Sequence, residues 1–293
     1  MPDATDLCRC SYLIKTSIAL QPYGLRAPRI VPGGGGYAKP VSVKLLADAP
    51  DALIRYTLDG TDPTARSRRY DGPIPILAGA KIAARAFAAH LPPSPIARED
   101  FVIDPNIIPL TDDGWMVVDS PEGNPPESSW RITGGVVTEL SNLYVGSASN
   151  PDPATDRPGT YRVHATTTGL TRGDGELSLE LATSDDDVFG VAFRWRGPEA
   201  HYVWAMDRQR GFHVLGRKDS KGFHVLASNK LRYEPNRWYR LRVVLRGDRM
   251  TVFLDDREDL EATDATFQTG TFALYVWGCA GAKFRNVRWT DAK

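Results

Sequence analysis

The segment 175–207 constrains the fold more than any other part of the sequence. Its first residues place Leu177, Leu179 and Leu181 at every second position, between polar or small residues. A period of two is that of a β-strand with one face in a core and the other in solvent. A run of aspartates then interrupts the pattern, and two apolar runs rich in aromatic residues follow. The segment therefore predicts three consecutive strands in the middle of an antiparallel β-sandwich.

The composition excludes two classes of partner. Lysine plus arginine and aspartate plus glutamate both total 36, so the formal net charge is zero. Proteins that bind nucleic acid or anionic membranes usually carry a basic excess, and no apolar run here reaches the length of a membrane span. We therefore expect no nucleic-acid partner and no membrane insertion.

No basic, apolar and small-residue signal peptide is visible at the start of the sequence. Three routes remain open: a trimmed form, a protein kept inside the cell, or export that does not use such a signal. Of these we expect an extracellular or particle-associated protein. The three cysteines, Cys8, Cys10 and Cys279, are predicted to be free thiols because an odd number does not complete a disulfide framework. A bridge from the N-terminal pair to Cys279 is the less favoured alternative.

Proline- and glycine-rich stretches divide the chain. Residues 1–27 are irregular, and the glycines at 33–36 predict a flexible hinge or a tight loop. Short alternating segments fill residues 28–104 and include an Asp-Gly turn, which predicts a small sandwich. Residues 105–293 carry many more alternating segments and no convincing helix, which predicts a larger jelly roll. The predicted fold class is therefore all-β.

Residues 54–64 carry the motif Ile-Arg-Tyr-Thr-Leu-Asp-Gly-Thr-Asp-Pro-Thr, followed by Ser67, Tyr70 and a Pro-Ile pair. Together with the strand at 83–86, the motif resembles the chitobiase/β-hexosaminidase C-terminal-type domain. The resemblance implies an immunoglobulin-like sandwich over residues 28–104 that serves as a spacer or accessory module.

The second part of the chain carries several short motifs of aromatic, glycine and charged residues. They are Ser141–Tyr144, Pro158–Tyr161, Ser184–Trp195, His201–Asp207, Asn236–Arg242, Gly270–Tyr275 and Phe284–Val287. Together they resemble a concanavalin A-like (laminin-G-like) lectin/glucanase sandwich. The resemblance implies a jelly roll over residues 105–293, in a superfamily that includes glycan lectins, matrix-binding modules and glycoside hydrolases.

Catalytic carboxylates are not apparent in the sequence. Glycoside hydrolysis needs two carboxyl groups on opposite sides of one bond. The nearest candidates are Glu176 and Glu180, which share one face of a predicted strand, but no aromatic residues flank Glu180. We therefore predict that the protein is not an enzyme, and a glycosidase that uses this pair is the less favoured alternative.

The run Asp185, Asp186 and Asp187 is the best metal candidate. Calcium prefers several carboxylate and carbonyl oxygens from a loop, and related sandwiches hold it at a sheet rim. We expect either a calcium ion at this loop or a solvated turn.

Aromatic residues alternate with charged ones on strands predicted to share a sheet. Sugar rings stack on aromatic side chains, while charged side chains bind their hydroxyl groups. The alternative is that these residues belong to the core, and alternation requires this for about half of the aromatics. The candidate ligand residues are Arg194, Trp195, Tyr202, Trp204, Asp207, Tyr275 and Trp277.

The sequence thus predicts a non-catalytic protein that binds a glycan or another cell-surface ligand. In this hypothesis the first module is a spacer and the second carries the ligand site. The rival hypothesis is a structural or adhesin component of a large assembly, such as a fibre, a phage-tail-like particle or a surface layer. In that case the segment 1–27 would dock the protein onto the particle or promote self-assembly.

Overall fold

The computed structural model describes residues 24–110, 114–119, 127–143, 160–164 and 172–292. Every regular element in these ranges is a β-strand, and the strands form two sandwiches along the chain. The predicted all-β class, with a small immunoglobulin-like sandwich before a jelly-roll sandwich, is confirmed. No helix among the described residues is long and apolar enough to cross a bilayer.

One of the three predicted free thiols can be placed. Cys279 is free and buried. Cys8 and Cys10 lie in segment 1–23, outside the described residues. Their free state, and the docking role suggested for the N-terminal segment, stay predictions.

The first sandwich contains eight strands. They are β1 (Arg29–Val31), β2 (Gly35–Tyr37), β3 (Val41–Leu46), β4 (Leu53–Thr57), β5 (Arg68–Arg69), β6 (Ile74–Ile76), β7 (Ala80–Phe87) and β8 (Ala97–Ile103). One sheet has the order β1-β3-β6 and the other β2-β8-β7-β4-β5. Val43 and Leu45 of β3 pack in one cluster with Ile54 and Tyr56 of β4, so alternate residues of each strand form the core between the sheets.

The second sandwich contains fourteen strands among the described residues. They are β9 (Trp115–Asp119), β10 (Trp130–Thr133), β11 (Val136–Glu139), β12 (Thr160–His164), β13 (Gly175–Ala182), β14 (Val188–Gly197), β15 (Ala200–Asp207), β16 (Phe212–Asp219), β17 (Gly222–Asn229), β18 (Tyr239–Arg246), β19 (Arg249–Leu254), β20 (Arg257–Thr263), β21 (Thr271–Trp277) and β22 (Lys283–Asp291). The β13 sheet has the order β10-β11-β22-β13-β18-β19-β20. The β14 sheet has the order β17-β16-β15-β14-β21-β12-β9.

The core of the second sandwich follows the alternation seen in the sequence. Leu177, Leu179 and Leu181 of β13 are buried, and they pack in one cluster with Phe189 and Val191 of β14. Full burial of one such side chain contributes roughly 1.5–3 kcal/mol to folding. The apolar face of β13 therefore fixes which side of the strand meets the β14 sheet.

Arg194 interrupts the alternation of β14. Its φ is 46°, and the pairing register of the strand shifts beside it, as expected for a β-bulge. The bulge directs Arg194 between the sheets, where its guanidinium donates to the carbonyl oxygens of Phe267 and Gly247 at 3.0 and 2.7 Å. It also pairs with Asp174 at 3.2 Å. Trp195 then lies on the outer face of the β14 sheet, in a second cluster.

The two sandwiches touch backbone to backbone at glycines. A Cβ on Gly35 would lie 2.8 Å from Cα of Gly135, and a Cβ on Gly135 would lie 2.7 Å from Cα of Gly35. A Cβ on Gly36 would lie 2.6 Å from Cδ1 of Ile107. The glycine run includes β2, which pairs in parallel with β8, so the predicted flexible hinge at 33–36 is wrong. Glycine is needed here because two backbones approach closely, not because the chain bends.

The connection between the sandwiches is also held in place. Nε of Arg288, on β22, donates to Asp104 at 2.8 Å. The amide of Ile108 donates to the carbonyl oxygen of Val287 at 2.8 Å, and Ile107 forms an isolated bridge with Arg288. The connection therefore runs along β22 as an added strand-like segment rather than as a free linker.

Gly135→Ala should lower the free energy of unfolding by about 1–3 kcal/mol, because the new methyl group forces the two backbones apart. The φ of 70° at this position adds strain for any residue with a side chain. Chemical denaturation of the full chain measures the change. Gly72→Ala is the matched control, since a Cβ there would meet nothing within 4 Å. Equal stability of the two variants would contradict the close contact between the sandwiches.

Candidate functional site

The structure places the five candidate aromatic residues on three neighbouring strands of the β14 sheet. Trp195 lies on β14, Tyr202 and Trp204 lie on β15, and Tyr275 and Trp277 lie on β21. The two faces of the sheet divide them into two groups.

Tyr202 and Trp204 lie in the core between the sheets. Neither side chain is exposed, and each is fixed by a carboxylate from the β20 region. The Tyr202 hydroxyl donates to Oδ1 of Asp264 at 2.6 Å, and Nε1 of Trp204 donates to Asp259 at 2.8 Å. Burial, together with the hydrogen bond to Asp264, raises the pKa of Tyr202 to about 12. The prediction that these two residues line a ligand groove is therefore corrected: they hold the two sheets together.

Arg194 belongs to the same interior, and the prediction that it contacts a ligand is corrected in the same way. Burial lowers its pKa, and the nearby Asp174 carboxylate acts in the opposite direction. Its guanidinium bridges loops at one end of the sandwich, so a ligand on the outer face of the β14 sheet would not reach it.

Trp195, Tyr275 and Trp277 lie on the outer face of the β14 sheet. Trp195 stacks on His201 with ring centroids 4.5 Å apart, and Tyr161 lies 4.5 Å from Trp195 and 5.0 Å from Tyr275. The three predicted residues are 5% exposed or less. They pack against other side chains and offer no open platform to a sugar ring in this structure.

Asp207 completes the predicted set and forms part of a charge network. Arg210 donates to Oδ2 of Asp207 at 2.9 Å and to Oδ1 of Asp187 at 3.0 Å, and its guanidinium lies 5.0 Å above the Trp277 ring. Burial tends to lower the pKa of Arg210, but the two carboxylates outweigh it and raise the pKa. Arg210 is therefore the resident positive charge beside the predicted metal loop.

The three aspartates of that loop come together as the sequence predicts, with one carboxylate oxygen of each within 4.8 Å of the others. Burial raises the pKa of Asp187, and the carboxylates of Asp185 and Asp186 raise it further, although Arg210 opposes the shift. The Tyr233 hydroxyl already donates to the carbonyl oxygens of Asp185 and Asp187 at 3.2 and 2.7 Å. Calcium would have to compete with these donors, and its binding at this loop stays a prediction.

Glu176 and Glu180 do not form a catalytic pair. Four residues of extended strand place them roughly 13 Å apart along β13, beyond the separation that glycosidases use. Each binds its own arginine: Glu176 pairs with Arg242 at 3.2 Å and Glu180 with Arg285 at 2.6 Å. The structure thus separates the two residues and gives them different surroundings.

Glu180 instead lines a cleft between the two sandwiches, with a volume of about 660 Å³. Gly35 of the first sandwich and Gly134, the residue before Gly135, are among the residues that line the cleft. Its polar lining comes from both sandwiches: Arg98, Glu99 and Asp100 on β8, and Glu180, Arg285 and Asn286 on β13 and β22.

A preformed hydrogen-bond network occupies the β13 side of this cleft. Nε of Arg285 donates to Oε2 of Glu180 at 2.8 Å, and Nδ2 of Asn286 donates to Oε1 at 2.8 Å. The Arg285 guanidinium carbon lies over the ring of Trp238, 4.1 Å from its centroid, which is a cation–π contact. Asn286 has a φ of 56°, a conformation that asparagine tolerates better than most residues. On the opposite side, Glu99 accepts a hydrogen bond from the amide of Gly34 at 2.9 Å.

The sequence reasoning missed most of this cleft. It noted Glu180 and the glycine run separately, but Arg285 lies 105 residues away from Glu180. The Arg-Asn pair at 285–286 was visible only as part of a strand motif. No local spacing signals a site that two modules form together.

Tyr202→Phe should lower the free energy of unfolding by about 1–3 kcal/mol, because it removes the hydroxyl that donates to Asp264 and accepts from the amide of Phe267. Chemical denaturation of the wild type and the variant measures the change. A variant with the stability of the wild type would contradict the structural role of Tyr202.

The lowered pKa of Asp264 predicts that the free energy of unfolding decreases in acid. Burial tends to raise its pKa, but hydrogen bonds from Thr266 and Tyr202 and the charge of Arg217 outweigh it and lower the pKa from 3.8 to about 2. Because the folded-state pKa is the lower one, this contribution is present above pH 3.8 and is lost as the pH falls towards about 2. The difference in unfolding free energy between wild type and Asp264→Asn should therefore shrink across this window. A difference that stays constant from neutral pH to pH 2 would contradict the shift.

Comparison with known proteins matches each of the two sandwiches to a protein family. Residues 32–97 match the chitobiase/beta-hexosaminidase C-terminal domain, which confirms the resemblance of the first sandwich. The levanase of Bacillus subtilis (strain 168) is 41% identical over 63 residues, which are 22% of this chain and only 9% of the levanase.

Solved structures similar to the chain include two from carbohydrate-related proteins. The carbohydrate binding module CBM66 from Bacillus subtilis is 21% identical with a TM-score of 0.47, over 61% of this chain and 96% of the module. The Bacillus licheniformis beta-glucanase is 13% identical with a TM-score of 0.42, over 62% of this chain and 94% of the glucanase. Residues 110–290, more than half of the chain, match the 3-keto-alpha-glucoside-1,2-lyase-like domain. The chain therefore belongs to the family of 3-keto-alpha-glucoside-1,2-lyase-like domains.

Proposed function

We propose that this protein binds a carbohydrate in the cleft between its two sandwiches, without cleaving it. The observation that carries the proposal is the network of Glu180, Arg285 and Asn286, which is already assembled in a cleft of about 660 Å³. The names of the two matching families, the chitobiase/beta-hexosaminidase C-terminal domain and the 3-keto-alpha-glucoside-1,2-lyase-like domain, and of the matching levanase support a carbohydrate as the ligand.

The chemistry of the cleft suits the hydroxyl groups of a neutral sugar. Each carboxylate oxygen of Glu180 can accept a further hydrogen bond, and the Arg285 guanidinium has donors beyond those that reach Glu180. An acceptor and a planar donor held side by side can bind two neighbouring hydroxyls of one sugar ring. Because the network is fixed before the ligand arrives, little side-chain entropy is lost on binding.

Size and charge support the same class of ligand. Small-molecule sites usually have volumes of about 300–1,000 Å³, so the cleft is large enough for a short oligosaccharide. Glu99, Asp100 and Glu180 oppose the positive charges of Arg98 and Arg285. An acidic sugar would meet this slight negative excess and is disfavoured.

The first sandwich is more than a spacer in this proposal. Its strand β8 supplies Arg98, Glu99 and Asp100 to the cleft wall. Arg98 is held by Asp62 and by the carbonyl oxygen of Gly60, to which it donates at 2.7 Å. Hence the turn in the chitobiase-type motif indirectly shapes the ligand site.

An enzymatic role is the second candidate, because the family description names a lyase and three carboxylates line the cleft. The contacts of these carboxylates favour binding instead. Glu180 accepts hydrogen bonds from Arg285 and Asn286, and Glu99 accepts one from a backbone amide. A role in a larger particle stays a prediction.

Glu180→Gln should weaken carbohydrate binding by about tenfold or more, since it removes a charged acceptor and disrupts the pair with Arg285. The measurement is isothermal titration of the full chain with levan oligosaccharides, chitooligosaccharides and α-glucosides. Glu176→Gln is the matched control, because it removes the same charge from the same strand face outside the cleft. It should bind as the wild type does.

Two outcomes would overturn the proposal. The first is equal binding by wild type and Glu180→Gln. The second is release of new products when the wild type is incubated with the bound sugar, provided that Glu180→Gln stops their release. That result would make the cleft catalytic.

A further inference from the structure

Three arginines lie in a row on the outer face of the β2-β8-β7-β4-β5 sheet of the first sandwich. Ile54 and Tyr56 of β4 belong to the core, so Arg55 between them points away from it. The pairing register places Arg69 of β5 opposite Arg55 on one side and Arg85 of β7 opposite it on the other. Residues directly opposite each other share a face of the sheet. These three residues are called the arginine row below.

The charges of the arginine row repel one another. Neighbouring strands are about 4.8 Å apart, and like charges directly opposite each other destabilise a sheet. Arg69 pairs with Asp71 at 2.9 Å, but the two side chains are 57% and 71% exposed, so solvent weakens this pair. Arg55 and Arg85 form no ion pair with any residue that the structure describes. The row therefore keeps an excess of positive charge.

Backbone carbonyl groups fix two of these arginines in place. Nη1 of Arg55 donates to the carbonyl oxygen of Ser67 at 3.0 Å, and Nε of Arg85 donates to that of Ser94 at 2.6 Å. A guanidinium group has five N–H donors in one plane, so most donors of both side chains stay available within the described ranges. The row is thus an ordered set of donors and positive charges without a counter-charge.

Two other strand arginines show the more usual arrangement. Arg249, on the outer face of the β13 sheet, pairs with Glu261 at 2.6 Å. Arg98 of β8 pairs with Asp62, although it lies on the same sheet as the arginine row. In both cases this chain supplies the carboxylate itself. The absence of such a partner for the centre of the row points to a negative charge that a ligand supplies.

An apolar pair lies beside the arginine row on the same face. Leu53 of β4 is opposite Phe87 of β7, two residues along each strand from Arg55 and Arg85. Leu53 is 43% exposed, and Phe87 is partly exposed. Sugar rings have apolar C–H faces that pack on such side chains, while charged side chains bind their polar groups. The face therefore combines the two kinds of contact that an acidic sugar needs.

We propose that the arginine row binds an acidic polysaccharide through the carboxylate groups of its uronic acid units. A guanidinium group binds a carboxylate with two parallel hydrogen bonds, and a row of such groups suits a chain with an acidic group on each unit. A polysaccharide is favoured over nucleic acid, because the formal net charge of the protein is zero and provides no general attraction for a dense polyanion.

This site is separate from the cleft between the sandwiches. None of the three arginines lines the cleft, whose balance of charges disfavours an acidic sugar. The proposal for the arginine row therefore does not depend on carbohydrate binding in the cleft, and the two can be tested separately.

The test is isothermal titration of the full chain with oligogalacturonates and with the same oligosaccharides after methyl esterification of their carboxylates. The acidic form should bind, and added salt should weaken its binding because the contacts are between charges. The esterified form should bind at least about tenfold more weakly, since it keeps the sugar ring and loses the charged acceptors.

The double variant Arg55→Gln, Arg85→Gln should bind the acidic form about tenfold or more weakly than the wild type does. Arg249→Gln is the matched control, because it removes one positive charge from a strand arginine that already has a carboxylate partner. Glu180→Gln, the cleft variant, should also bind oligogalacturonates as the wild type does. A loss of binding in either control would overturn the assignment to the row.

Arg69→Gln is a further variant, for the case in which the double variant does not fold. Its side chain is more than half exposed and pairs only with Asp71, so binding should weaken while the fold is kept. Equal binding of the acidic and esterified forms, or unchanged affinity in the row variants, would contradict the proposal. So would a single-stranded DNA oligonucleotide that binds as tightly as the oligogalacturonate, because the row would then recognise charge and not sugar.

Discussion

The backbone contact between Gly35 and Gly135 is the constraint on which the arrangement of this molecule depends. Their Cα atoms approach so closely that a single methyl group on either would collide with the other chain segment. The contact places β8 of the first sandwich across from β13 and β22 of the second, and the cleft lies in the space that remains. The hydrogen bonds along the connection, including that of Arg288 with Asp104, hold the same alignment. Without these contacts the polar side chains of the two sandwiches would not share a site.

Buried charges mark the other places where the two sheets of the second sandwich are joined. Arg194 reaches carbonyl oxygens of loops at one end, and Asp259 accepts from Trp204 and lies 2.8 Å from Nδ1 of His213 near one edge. Burial opposes the charge of Asp259, but its hydrogen-bond donors, led by His213, outweigh this effect and lower its pKa.

The alternation of apolar and polar side chains was enough to predict the strands and their buried faces. The alternation of Leu177, Leu179 and Leu181 correctly assigned the strand and its buried face, and the two resemblances correctly assigned both folds. The aromatic residues were a harder case, because sequence does not show which face of a sheet is covered. Tyr202 and Trp204 face the other sheet, whereas Trp195 reaches the outer face only because a bulge at Arg194 shifts the alternation. The cleft could not be predicted, since its residues lie far apart in sequence and meet only through tertiary contact.

A crystal structure of the full chain with the oligosaccharide that binds best would test the central claim most directly. The proposed site predicts sugar density in the cleft, with hydroxyl groups bound to Glu180, Arg285 and Asn286, and at least one contact from β8. Density on the outer face of the β14 sheet, against Trp195, Tyr275 and Trp277, would contradict it. In that case the cleft would be only a junction between the sandwiches, and the aromatic face would be the ligand site.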